Sequence, residues 1–162
     1  MKYRPIVLLG LLLVFFDPAL QSLQAASNDS MPKELEGVWI TTKEENLEGR
    51  AGGEMLKAEQ KTGLCSLLTK NPLASHSFEG VVVLRGVHMI TWDGRCTVYG
   101  GFKRSDGGKY VTSWKCKGEH GTNGGKVIFE LQQKNDKLRL VETTIFKQGG
   151  SFKNVYDEKC DQ

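Results

Sequence analysis

The residue types that could do chemistry in this chain fall in a few short patches. Gly121-Thr122-Asn123-Gly124-Gly125-Lys126 has the glycines and the lysine of a phosphate-binding loop. Such a loop needs Gly where His120 stands and Ser or Thr where Val127 stands, and it must open a helix whose N-terminal dipole faces the phosphate. A strand-type run follows instead, so the segment reads as a turn. Ser75-His76-Ser77 sets hydroxyls beside an imidazole. Adjacent residues on an extended chain point apart, and no Gly-x-Ser-x-Gly elbow is present, so a surface loop is expected. His88, beside Met89-Ile90, reads as a strand residue and not as a metal ligand. Glu44-Glu45 and Asp157-Glu158 flank turns and read as solvated charge. No catalytic residue, cofactor or metal site is expected from these patches.

Cysteine and lysine carry more information. The four cysteines are Cys65, Cys96, Cys116 and Cys160. They form no C-x-x-C pair, and His76, His88 and His120 have no ligand spacing to them, so a disulfide framework is expected rather than zinc. Arg95, Lys103, Arg104, Lys109, Lys115 and Lys117 all fall in one hairpin-like stretch, interleaved with Phe102, Tyr110 and Trp114. If Arg95, Lys103, Lys115 and Lys117 share the face opposite Trp114 and Cys116, they form a basic stripe able to dock an acidic protein or another polyanion. Lysines on a strand also serve simply to keep an edge from aggregating.

The elements that must position these groups can be read from the chain's punctuation. Lys2 and Arg4 precede an apolar run, Ile6 to Phe16, that ends at Asp17-Pro18, and Ala25-Ala26-Ser27 supplies small residues for cleavage. Residues 1–27 therefore read as a secretory signal peptide, too short in its apolar part to span a membrane. Residues 28–34 read as a disordered lead-in and 35–162 as one domain. Of the 22 basic and 19 acidic residues, removal of Lys2, Arg4 and Asp17 leaves a net charge of +2, too even to imply nucleic acid or a membrane as partner.

Strand-type runs are expected at 37–42, 78–84, 87–92, 95–103, 109–117, 126–133 and 137–147, with a last short one at 151–156. Glycine-rich turns separate them. Tyr110, Thr112, Trp114 and Cys116 alternate with Val111, Ser113 and Lys115, and Val127, Phe129 and Leu131 alternate with Ile128, Glu130 and Gln132. This period of two describes sheets with one buried face. The expected fold is all-β, a single antiparallel meander forming a small barrel or sandwich with at most one short helix. For residues 55–70 the expectation is a strand to about Leu64 and a helical turn over 66–70, because Gly63 interrupts the helical spacing.

Hairpin counting bears on the disulfides. A turn at Ser105–Gly107 sets Arg104 against Gly108 and Cys96 against Cys116. A two-residue Asp106-Gly107 turn shifts the register by one, and a bulge at Gly100-Gly101 restores it. Cys96–Cys116 is the favoured bridge of the three connectivities, which leaves Cys65–Cys160.

The order of landmarks resembles a family of small exported proteobacterial four-cysteine β proteins known only as a domain of unknown function. Gly37-Val38-Trp39 opens it, Cys65 follows, then Cys96-Thr97-Val98, Trp114-Lys115-Cys116-Lys117-Gly118 and Asp157-Glu158-Lys159-Cys160. That resemblance implies export, a β-rich fold and intact disulfides, and it supplies no activity or site residues. Gly37-Val38-Trp39 also looks like the Gly-x-Trp start of lipocalin-type barrels, which would imply a small apolar ligand. The expected function is a periplasmic or secreted, non-enzymatic binding module, acting by surface docking or as an inhibitor. The alternative is a small apolar-ligand carrier of lipocalin-like type.

Overall fold

The computed structural model describes residues 30–48, 52–92, 94–118 and 121–160. The segment 1–27, read as a signal peptide, lies outside the described residues. The alternating runs become nine strands: β1 (Gly37–Ile40), β2 (Val81–Arg85), β3 (His88–Thr91), β4 (Gly94–Arg104), β5 (Tyr110–Gly118), β6 (Gly121–Lys134), β7 (Lys137–Phe146), β8 (Ser151–Tyr156) and β9 (Glu158–Lys159). They pair antiparallel in the order β8-β7-β6-β5-β4-β3-β2-β1-β9. Asp157 alone separates β8 from β9, yet β8 pairs with β7 and β9 with β1. The two edges of the sheet therefore meet, and the meander is a nearly closed barrel rather than a sandwich.

Period-two patterning sorts the side chains. Trp39, Val82, Leu84, Met89, Val98, Trp114, Val127, Phe129, Leu140 and Tyr156 turn inward as the barrel core. Val38, Ile40, Val81, Val83 and Ile90 turn outward, where Leu64 and Leu68 of helix α1 (Lys61–Lys70) cover them together with Leu56. Burial on both faces explains why Val81-Val82-Val83-Leu84 is continuously apolar. Among the described residues, nothing covers the outer faces of β4 to β7 in this way.

Three sequence expectations need correction. Residues 55–64 are not a strand: Met55 makes one isolated bridge to Glu79, a short 3₁₀ turn occupies Ala58–Gln60, and α1 begins at Lys61. Leu64 and Leu68, four residues apart, share the buried face, while Gly63 points to open space and costs the helix only about 1 kcal/mol relative to Ala. The glycines after Gly121 are not a turn but the start of β6, paired to β5 throughout. They allow close approach of backbones: a Cβ on Gly125 would stand 1.9 Å from the Ile145 carbonyl oxygen. The lead-in is ordered from Met31 onward, since Met31 and Leu35 are buried and Met31 donates its N–H to the Gly86 carbonyl.

The hairpin register comes out as Cys96↔Cys116, with a bulge between Tyr99 and Lys103. The turn lies one residue later than expected, at 106–108, since Arg104 pairs with Tyr110 and Ser105 N–H bonds to the Lys109 carbonyl. Gly100 and Gly101, at φ of 77° and 70°, adopt the left-handed backbone that the bulge requires. Both bridges form as expected, Cys96–Cys116 within the hairpin and Cys65–Cys160 from α1 to the chain end. Two disulfides suit a non-cytoplasmic environment. No helix among the described residues is long and apolar enough to cross a membrane.

Candidate functional site

The two ends of the barrel differ. At the end where β1 begins, the Trp39 indole N–H donates to the Leu35 carbonyl at 2.8 Å, and the Lys159 ammonium sits 5.0 Å from the Trp39 ring centroid. Burial there holds the Lys159 ammonium below its usual pKa, with Glu36 and Glu34 opposing the shift. The Tyr110 hydroxyl donates to Glu34, which lowers the carboxyl and raises the phenol. Trp39, Leu35, Phe129 and Leu84 are buried at this end.

At the other end, Leu47, Glu48 and Gly53 of the segment after β1 rest against the barrel. Leu47 bridges to Asn154, and Glu48 N–H bonds to the Lys153 carbonyl at 3.1 Å. Gly53 lies so close to Trp92 that a Cβ would stand 2.5 Å from the indole ring. Beside Leu47 lies a cavity of about 140 Å³. Its walls are aromatic and aliphatic: Trp92, Trp114, Phe146, Phe152, Met89 and Leu47. Phe146 meets Trp114 edge-on with centroids 5.6 Å apart and meets Phe152 at 5.5 Å. Gly125 pairs with both Trp114 and Phe146, and a Cβ on it would collide with the Ile145–Phe146 backbone.

The polar part of the cavity is a buried carboxyl. Glu142 is 1% exposed and sits on β7 between Phe129 of β6 and Asn154 of β8. Thr144 Oγ1 donates to it at 2.8 Å and the Tyr156 hydroxyl at 3.0 Å, while the Asn154 side chain also bonds to it. Burial pushes the Glu142 carboxyl above its ordinary pKa, and these three hydrogen bonds oppose that shift. The Tyr156 phenol is pushed well up by burial and by the Glu142 charge. Glu79, also lining the cavity and buried, accepts the Gly53 N–H at 2.9 Å. Sequence reasoning missed Glu142. The available signal was its position in Leu140, Glu142, Thr144, Phe146, an acid at the inward period of an otherwise apolar face.

The basic hairpin is assembled as its register requires. Arg95 pairs with Lys117, Lys115 with Thr97, and Lys103 with Val111, which sets these four cations on the outward face opposite Trp114 and Cys116. All four are exposed, and exposed Lys126 joins them through its pairing with Ser113. Arg104 and Lys109 are engaged elsewhere: the Arg104 guanidinium lies 5.5 Å from the Tyr110 ring centroid, and Lys109 pairs with Glu130 at 3.1 Å.

The remaining candidates do not converge. His76 is exposed in a 3₁₀ segment, and the Ser75 hydroxyl is turned away to the Pro72 carbonyl at 2.8 Å. His88 contacts the Arg95 guanidinium; burial and that charge lower its pKa. No group of three potential metal ligands occurs among the described residues. Asp157-Glu158 is not plain solvated charge: Asp157 accepts from Asn46 at 2.6 Å and pairs with Lys43 at 3.4 Å, and Glu158 pairs with Lys61. These bonds fasten the loop after β1 and helix α1 to the barrel's closing strand.

The fold and cavity thus define a disulfide-braced antiparallel β barrel with an aromatic-walled cavity towards one end. Compared with models of known protein families, with curated proteins and with solved structures, the chain finds no match.

Proposed function

We propose that this protein is an exported, non-enzymatic carrier that holds a small, mostly apolar molecule inside its barrel. One observation carries this reading: the barrel contains a cavity of about 140 Å³ with aromatic walls and a buried polar group. Binding pockets commonly combine an apolar lining with a few convergent polar groups, and an apolar cavity of about 150 Å³ accommodates benzene. The signal-peptide reading of residues 1–27 and the two disulfides support export. Native mass spectrometry of protein purified with its disulfides intact is expected to show a bound small molecule that denaturation releases. A clean apo mass, together with no uptake of benzene-sized probes, overturns the carrier reading.

Surface docking is the second reading, favoured by the register that aligns Arg95, Lys103, Lys115 and Lys117 on one outward face. Replacing Lys103, Lys115 and Lys117 by Glu is expected to lower the salt needed to elute the protein from a sulfated polysaccharide matrix. A control with Lys70, Lys134 and Lys137 replaced should be affected much less. Equal effects of the two triple variants would sink docking through this face.

A further inference from the structure

We propose that a groove along the barrel's seam binds a phosphate-type dianion, either the free ion or the monoester of a small molecule. The site is separate from the barrel cavity and from the outer face of β4 and β5.

Strands of unequal reach create the groove. β8 ends at Tyr156, opposite Leu140, whereas β7 already begins at Lys137. The chain then leaves β7, and β9 pairs with β1 instead. The overhang of β7 therefore faces the end of β1 and the start of α1 across a groove of about 360 Å³, larger than the barrel cavity.

Cations from three parts of the fold line this groove: Lys43 after β1, Lys61 at the start of α1, and Lys134, Lys137 and Arg139 on the β6–β7 hairpin. Its acids are Asp157 and Glu158, and each already has a lysine. Lys43 pairs with Asp157 at 3.4 Å, and Lys61 pairs with Glu158. Lys134, Lys137 and Arg139 make no ion pair with any described residue. The positive excess of the groove therefore lies on the hairpin.

The backbone holds these cations together. Asn135 and Asp136, at φ of 51° and 59°, make a two-residue turn that sets Lys134 directly opposite Lys137. Gln132 and Arg139 are the next pair on the same face. Like charges placed directly opposite weaken a ladder, and an anion seated between them replaces that repulsion with attraction. Arg139 is also oriented in advance. The Gln132 side-chain oxygen accepts from its Nε at 3.0 Å and from its Nη2. A guanidinium has further N–H donors beyond these, and they remain for a ligand. Gln132 is neutral and donates its amide to Glu130 at 2.7 Å, and the Glu130 charge is met by Lys109.

Phosphate matches this set by charge and by shape. Its oxygens accept from a planar guanidinium and from ammonium groups at once, in short charge-assisted bonds. Its two charges answer the crowded cations better than a single carboxylate can. The hairpin tip is small, so it suits one compact anion, whereas the long outer face of β4 and β5 suits an extended polyanion.

Calorimetry on the full chain with disulfides intact, at constant low ionic strength, compares inorganic phosphate and glycerol phosphate with acetate. The phosphates are expected to bind about tenfold or more tighter than acetate, and the tighter of the two tells the free ion from the monoester. Replacing Lys137 and Arg139 by Gln should weaken phosphate binding about tenfold or more. Lys70→Gln, at the last residue of α1, should leave it unchanged, and so should replacing Lys103, Lys115 and Lys117 by Glu. A second measurement needs no variant. A phosphate monoester gains its second charge at a pKa of about 6, so affinity for glycerol phosphate should rise between about pH 5 and about pH 7.5. No binding of either phosphate, acetate binding as tightly, an affinity unchanged in the double variant, or one that does not rise with pH overturns the proposal. The carrier and docking readings are decided by their own tests.

Discussion

Replacing Cys65 and Cys160 by alanine is expected to remove about 4–5 kcal/mol of folding stability, and replacing Cys96 and Cys116 about 3 kcal/mol. The difference follows from the lengths of chain enclosed, 95 residues against 20. Loop-closure entropy rises with the logarithm of that length, so the longer loop restricts the unfolded chain more. A small domain has about 5–15 kcal/mol in total, and the first double variant should lie near its unfolding transition at physiological temperature. Urea unfolding curves measure both losses. Equal midpoints for the two variants, or a greater loss from the hairpin pair, would contradict this account. Binding should separate them in the opposite sense. Cys96 and Cys116 line the cavity, so their loss should alter ligand affinity, whereas Cys65 packs outside the barrel against α1's cluster.

Trp39→Ala is expected to cost about 3–5 kcal/mol, the range for deleting a large buried aromatic side chain. Trp39 is 0% exposed and sits where the turn before β1, the interior and Lys159 converge. Trp39→Phe keeps much of the apolar contact but removes the N–H that satisfies the Leu35 carbonyl, a loss of about 1 kcal/mol for the bond alone. Thermal melts should therefore rank the parent above Trp39→Phe and Trp39→Phe well above Trp39→Ala. An alanine variant as stable as the parent would contradict a structural role for the buried Trp39 side chain.

Much of this architecture was legible because strand patterning is local. The alternation of Tyr110, Thr112, Trp114 and Cys116 with outward residues already defines two faces, and hairpin counting brings Cys96 to Cys116. What stayed hidden depended on three-dimensional closure. Gly124 and Gly125 resemble turn residues in one dimension; their role emerges only when β7 brings the Ile145 carbonyl against them. Residues 55–64 fit two periodicities, and the choice was made by the outer face of β1–β3, which needed Leu64 and Leu68 as cover. Glu142 was concealed by a reasonable default, that strand acids face water. Its inward position becomes evident once Leu140 and Thr144 are placed on the same side of β7.

The closing ladder has a consequence for when and where the molecule is completed. β6 and β7 share ten aligned pairs, but β1 and β9 share two, Trp39↔Lys159 and Ile40↔Glu158. So short a ladder resists local opening poorly. Cys160 is the next residue along, its N–H bonded to the Val38 carbonyl at 2.8 Å and its sulfur joined to Cys65. The covalent tie therefore sits at the weakest arc of the circle. In a reducing compartment the circle would stand ajar at β1, with amide hydrogens of the closing strands exchanging early and a sheet edge open to strangers. Oxidation shuts it, so for this chain closing the circle and forming the Cys65–Cys160 bridge become a single event.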